Sequence, residues 1–269
     1  MLPPEHNLEV RTRLPQKPSR KPPLLFVHGG FCDSWCWEPY FLPWFAARGY
    51  PSHALSLRGH GASGGKDSMF VAGLDDYAAD VEHISSRFAT PPVLIGHSMG
   101  AAVIERMMST RPLRAAALLA PLPPGGLGTM MSRLAAQQPE YIMRMQSFDP
   151  RVSVDMLHAL RPMYFSDGVS PALLAQSGRH LGPESPRALL DLTLRLHGAR
   201  PVDGVRPLVI GAQDDRVCSP SDVAATATLY GVKATMLPGL AHMMMLEPDY
   251  EQVARALLAW LDTELDPKG

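Results

Sequence analysis

Cysteine, lysine and long apolar runs are all in short supply in this sequence, and each shortage removes a class of protein. Three cysteines in 269 residues cannot close a disulfide framework, because the number is odd and small. Cys32 and Cys36 have no second pair elsewhere, which argues against a zinc site, so all three are expected as free thiols in a reducing compartment. Only five lysines accompany the scattered arginines, and 25 basic residues stand against 26 acidic ones. The basic patch of a nucleic-acid binder is therefore not expected. The longest unbroken apolar runs, 115–120 and 256–261, are six residues each, whereas a membrane-spanning helix needs about 20. The opening Met1-Leu-Pro-Pro-Glu lacks the basic-then-apolar order of a secretory leader, which makes cytoplasm the expected location. Charged residues make up 19% and hydrophobic ones 46%, a globular rather than a disordered composition.

What is present is a repeating grammar. Residues 1–23 hold six prolines, and apolar and polar side chains alternate over 7–14, as in a half-buried edge strand. From residue 24, short apolar runs are followed by turn residues and, in most cases, by helix-like stretches. The runs are 24–28, 52–57, 92–96, 115–120, 207–211 and 234–237, near-continuous as buried parallel strands are. Amphipathic stretches follow at 74–88, 101–110, 221–230 and 250–261. This alternation predicts an α/β fold, a doubly wound, mostly parallel sheet with helices on both faces. It breaks once, for about 85 residues between the fourth and fifth of these runs, far beyond an ordinary connection. That stretch is rich in Met, Arg and Leu, with helical spacing at 127–138, 152–160 and 187–196. The expected organisation is thus a core of 1–120 and 201–269 with a helical cap, 121–200, over the carboxyl edge of the sheet.

The chemistry centres on Gly96-His97-Ser98-Met99-Gly100, a G-x-S-x-G motif. An apolar strand ends just before it and a helical pattern begins at Ala101, the setting that a nucleophile elbow requires. Flanking glycines leave room for a tight, strained turn. The turn lifts the Ser98 hydroxyl to a helix N-terminus, where backbone N–H groups favour negative charge. A serine needs a base, and of ten histidines only His242 lies at a strand end late in the chain. His97 and His60 sit inside glycine motifs, where the ring can brace a turn. The base needs an acid, and two carboxylates, Asp214 and Asp215, follow the run 207–211. The tetrahedral intermediate needs two N–H donors. Met99, directly after the nucleophile, supplies one. The loop His28-Gly29-Gly30-Phe31 supplies the other, with Gly30 the first choice and Phe31 the second.

The order Ser98, Asp214, His242, with His28-Gly29-Gly30 upstream and Arg58-Gly59-His60-Gly61-Ala62-Ser63 between, resembles the α/β-hydrolase fold superfamily of serine esterases and lipases. In serine hydrolases of this topology the acid lies about three residues past the glycine that closes its strand. The resemblance therefore selects Asp214, leaving Asp215 as a turn or salt-bridge residue near Arg216. Trp35-Cys36-Trp37 and His242-Met243, followed by Met245-Leu246-Glu247-Pro248, are similar to the methylesterase and hydroxynitrile lyase branch. Met243 and Gly29 stand where the lyases carry Lys and Thr, which favours the esterase side. The Arg58–Ser63 motif is shared with bacterial carboxylesterases and lipases.

The insertion carries Phe148, Tyr164, Phe165 and several methionines, and thioethers suit adaptable apolar pockets. With Met243, these three aromatic residues are the candidate substrate contacts. The expected activity is hydrolysis of a small carboxylic ester with an apolar acyl or alcohol group, through an acyl-enzyme and without metal or other cofactor. A cofactor-free lyase, perhydrolase or dioxygenase on the same triad, or a ligand receptor that turns over slowly, are the competing readings.

Overall fold

The computed structural model describes residues 7–139, 161–194, 201–202 and 204–265. Seven strands form one sheet: β1 (Val10–Arg13), β2 (Leu24–Val27), β3 (Ser52–Leu55), β4 (Val93–His97), β5 (Ala116–Leu119), β6 (Leu208–Ala212) and β7 (Thr235–Leu237). Their order is β1-β3-β2-β4-β5-β6-β7. Only β1 runs antiparallel, pairing Val10 with Leu55, and every other neighbour is parallel. The central strands β2, β4 and β5 are buried along their whole length, which is why they read as apolar runs rather than as alternation. The edge strand β1 is half-buried.

Helices α1 (Phe41–Ala46), α2 (Leu74–Ser85), α3 (Met99–Met108), α7 (Pro220–Leu229) and α8 (Glu251–Leu265) belong to the core, and α4 (Gly126–Gln137), α5 (Pro171–Gly178) and α6 (Pro186–Thr193) to the stretch between β5 and β6. Three of them start on a Ser-Pro step. Ser170, Ser185 and Ser219 each accept a hydrogen bond from a backbone N–H of the first turn, with proline directly after. This is the N-cap preference combined with a residue that lacks the orphan donor. The expected helices 127–138 and 187–196 correspond to α4 and α6. The expected helix 152–160 and Phe148 lie outside the described residues. Helices α1 and α5 and the turns Ser34–Trp37 and Lys66–Val71 escaped the sequence reading.

The insertion is stitched to the core at several points. Ser185 Oγ donates to Ala72 O at 2.6 Å, and the Leu74 N–H donates to Asp191 at 3.0 Å. Arg133 reaches Asp222 at 2.8 Å. No helix among the described residues is long and apolar enough to cross a membrane.

Candidate active site

Ser98 lies between the last residue of β4 and the first of α3, at φ 52° and ψ −117°. A non-glycine residue holds such a conformation only where its surroundings enforce it. Here the enforcement is close packing of bare backbone. A Cβ on Gly96 would stand 2.4 Å from the Gly100 carbonyl oxygen, and one on Gly100 would stand 2.5 Å from the carbonyl oxygens of Val27 and His28. A side chain at Gly96 would push α3 off β4, and one at Gly100 would push it off the end of β2.

His242 follows β7 and is buried. Its Nδ1 lies 2.9 Å from Asp215 Oδ2, with both side chains almost fully enclosed. The other oxygen of Asp215 accepts from the N–H groups of Val217 at 2.8 Å and Cys218 at 2.9 Å, so the carboxylate has a fixed orientation. Asp214, the expected partner, is exposed. Only its backbone takes part, donating to Leu240 O at 3.0 Å. The correction has a simple cause: β6 ends at Ala212 rather than at Gly211, and the extra strand residue shifts the inward-facing carboxylate one position on.

His97 braces the site, as its place in the glycine motif suggests. Its Nε2 lies 2.9 Å from the His242 carbonyl oxygen, and the two rings are 4.7 Å apart. Burial, then repulsion from a charged His242, hold the His97 pKa well below the ordinary histidine value. It is a neutral donor. Cys218, whose N–H binds Asp215, is itself buried. Burial pushes its thiol well above its ordinary pKa, so it remains protonated. His242, Asp215 and the backbone of Cys218 therefore form one hydrogen-bonded cluster, and His97, the residue before Ser98, is bonded to it.

On the other side stands the loop 28–31. Phe31 is left-handed, at φ 64°, and its N–H donates to Glu184 Oε2 at 3.2 Å. The second-choice oxyanion donor is thus directed at a carboxylate. No described residue accepts from the Gly30 N–H, and Met99 opens α3, where the first N–H groups have no intrahelical acceptor. Of the candidate substrate contacts, Tyr164 lies edge-on to His242 with ring centroids 5.7 Å apart, and its carbonyl accepts from the Met243 N–H at 2.9 Å. Phe165 is enclosed in the core, with 5% of its surface exposed. All three cysteines are free and buried. Among the described residues no group of three or more His, Cys, Asp or Glu side chains is arranged to hold a metal ion.

Glu184 was not legible in the sequence. It directly precedes the Ser185-Pro186 helix start, and its carboxylate is buried against the Phe31 loop. The hydroxyl of Tyr77, on α2, also reaches this carboxylate.

A strained serine between strand and helix, with a His–Asp pair carried by the loops after the last two strands, is the layout of an α/β hydrolase. The chain belongs to the alpha/beta hydrolase family, whose model matches residues 24–256. It is 26% identical to a monoacylglycerol lipase of Mycolicibacterium smegmatis over 82% of this chain and 81% of that protein. It is 30% identical to a pyrethroid hydrolase of Sphingobium wenxiniae over 36% of this chain, spanning only 34% of that relative's length. Among solved structures, a protein of Mycobacterium tuberculosis described as a non-heme bromoperoxidase superposes with a TM-score of 0.74 at 21% identity, covering 96% of both chains. A monoacylglycerol lipase of Paleococcus ferrophilus gives 0.69 at 16% identity, covering 96% of this chain and 99% of that one. At these identities the two structures speak for the fold.

Proposed function

We propose that this chain is a carboxylic-ester hydrolase acting through Ser98, His242 and Asp215. The observation that carries the reading is the buried 2.9 Å pair of His242 Nδ1 and Asp215 beside a serine held in a strained elbow. Asp215 fixes the His242 tautomer with its proton on Nδ1, leaving Nε2 as the base. Ser98 Oγ attacks the ester carbonyl carbon while its proton passes to His242, and the carbonyl oxygen becomes an oxyanion facing the N–H groups of Gly30 and Met99. The intermediate collapses, the C–O bond to the alcohol breaks, and His242 returns the proton to the departing oxygen. Water, deprotonated by the same histidine, then attacks the acyl-enzyme, releasing the acid and restoring Ser98. No step draws on a metal or other cofactor.

Relatives with lipase and hydrolase activities support an ester with an apolar group. The stretch 121–200 serves as the cap in this reading, with Tyr164 and Met243 forming the wall beside His242. The deciding experiment is turnover of p-nitrophenyl esters of graded chain length, with a stoichiometric burst on mixing. One equivalent of nitrophenol per chain, followed by steady turnover, is expected. A burst without turnover would make the chain a slow receptor, and neither signal would refute the triad.

A further inference from the structure

We propose that Glu184, contributed by the insertion, is a positioning residue for the oxyanion: it holds Phe31 in its left-handed conformation and so aims the Gly30 N–H at the carbonyl oxygen of the substrate. The inference rests on the ester-hydrolase reading of Ser98, His242 and Asp215.

Glu184 is 5% exposed, and its carboxylate accepts four hydrogen bonds. Oε1 takes the Tyr77 hydroxyl and the Ser185 N–H, each at 2.7 Å. Oε2 faces the Phe31 N–H at 3.2 Å and His60 Nε2 at 3.1 Å. A buried carboxylate with one solitary contact would be a burden on the fold. Four partners drawn from β2's loop, the Arg58–Ser63 motif, α2 and the insertion make it a junction instead. Burial alone would raise its pKa, but the His60 ring, the Tyr77 hydroxyl and the Ser185 N–H outweigh burial and hold it below the usual carboxylate value.

The grip on Phe31 is two-sided. Its N–H goes to Glu184 and its carbonyl accepts from the Gly182 N–H at 2.9 Å. A left-handed phenylalanine costs about 1–2 kcal/mol, which such paired bonds can offset. Further along the loop, His180 Nδ1 lies 2.9 Å from Asp33, and its ring stacks on Trp35 at 4.6 Å and 2°. The segment 180–184 thus clasps the segment 31–35. Gly30, directly before the clasped residue, has its Cα position close to the same carboxylate: a Cβ there would lie 3.5 Å from Glu184 Oε2. By taking the Phe31 N–H, Glu184 leaves the Gly30 N–H to serve the substrate. An isolated negative charge so near an oxyanion would work against it. His60 keeps the carboxylate from standing alone: its Nδ1 faces Arg58 O at 3.0 Å and its Nε2 faces Glu184, which ties the carboxylate to the Arg58–Ser63 motif. The His60 of the Arg58–Ser63 motif thereby acquires a role that the triad did not give it.

The test compares wild type, Glu184→Ala and the near-isosteric Glu184→Gln. Three quantities are read: kcat and KM on p-nitrophenyl butyrate, inhibition by an alkyl trifluoromethyl ketone, and amide deuterium exchange of 28–36. Addition of Ser98 Oγ to the ketone carbon places negative charge on the former carbonyl oxygen, so its affinity reports the oxyanion site. Misplacing one donor by about an ångström is expected to cost up to about 10²-fold in kcat. The expected result is therefore a 10- to 10²-fold loss of kcat in Glu184→Ala (about tenfold or more by the same estimate), with KM nearly unchanged. Ketone affinity should fall by the same factor, exchange in 28–36 should be faster, and Glu184→Gln should recover part of every loss. Full kcat in both variants, or a KM rise with kcat and ketone affinity intact, overturns the inference and leaves the ester reading standing. Should Glu184→Ala not fold, Glu184→Gln alone decides, since unchanged exchange and kcat in it also overturn the inference. Absence of ester turnover and of ketone binding in wild type would instead refute the ester reading, and the exchange comparison would still judge the clasp.

Discussion

Ser98 holds a backbone conformation that costs about 1–3 kcal/mol, and the fold sustains it because two glycines let three segments of backbone meet there. Under the proposed mechanism, Ser98→Ala lowers kcat by about 10⁴- to 10⁶-fold while the fold and its melting temperature stay close to those of wild type. A fluorophosphonate should label the wild-type chain once, at Ser98, as peptide mass spectrometry would read. The two aspartates offer a sharper comparison. Asp215→Asn is expected to cost about 10⁴-fold in kcat, because the amide favours the wrong tautomer of His242. Asp214→Asn, whose side chain is exposed, should leave kcat within a factor of two or so (an ordinary surface substitution). The opposite ranking would return the acid to position 214.

The elbow works as an element only because α3 leaves β4 while almost touching β2. A methyl group on Gly100 would meet the carbonyl oxygens of Val27, the last residue of β2, and of His28 at 2.5 Å, and backbone cannot yield as a flexible side chain can. Gly100→Ala is therefore expected to lose about 1–3 kcal/mol of stability in a urea melt, with activity lost as well. The insertion is a second element with its own consequence. It is fixed to the histidine loop through Tyr164 O and Met243 N at 2.9 Å, and through Ser166, whose N–H donates to Glu247 at 2.8 Å. A wall built from Tyr164 and Met243 should reward apolar acyl chains. Each buried methylene could add up to about 0.8 kcal/mol, roughly fourfold in kcat/KM per step from acetate towards a medium-chain ester. An acetate optimum in the same series would remove the insertion from the acyl site.

At the scale of the whole molecule, one buried acid sets a pH dependence unrelated to the active site. Glu105 on α3 is fully buried, with Oε1 3.0 Å from the Tyr230 hydroxyl and Oε2 without a partner among the described residues. Burial raises its pKa from 4.5 to about 8, only partly countered by the tyrosine bond. The folded protein therefore keeps a proton that the unfolded chain gives up between these values. Stability from this group is fully present below pH 4.5 and falls as the pH rises through about 8, since the unfolded chain binds fewer protons over that range. Glu105→Gln, which keeps the tyrosine contact without a titrating proton, should match wild type in urea at pH 5 and exceed it at pH 8.5 or so. Equal midpoints at both pH values would show that Glu105 is ionised in the folded state.

The alternating runs, the G-x-S-x-G motif and the late histidine were readable from the sequence because each depends on local chemistry. Buried parallel strands must be apolar throughout, and an elbow must have glycine where backbones touch. Those requirements sufficed for the sheet and its one long interruption, and they singled out Ser98 and His242 as candidates. The choice between Asp214 and Asp215 did not follow, because it turns on whether β6 ends at Gly211 or one residue later, and that end is fixed by its parallel pairing with β7 through Ala212 and Leu237. Glu184 was further out of reach. Its partners lie 153, 124 and 107 residues away in the chain, and no local pattern marks a carboxylate that becomes buried only when the insertion folds back over the sheet. Proximity of that kind is a property of the tertiary structure, in which distant segments share one enclosed, low-dielectric space and must satisfy one another's hydrogen bonds.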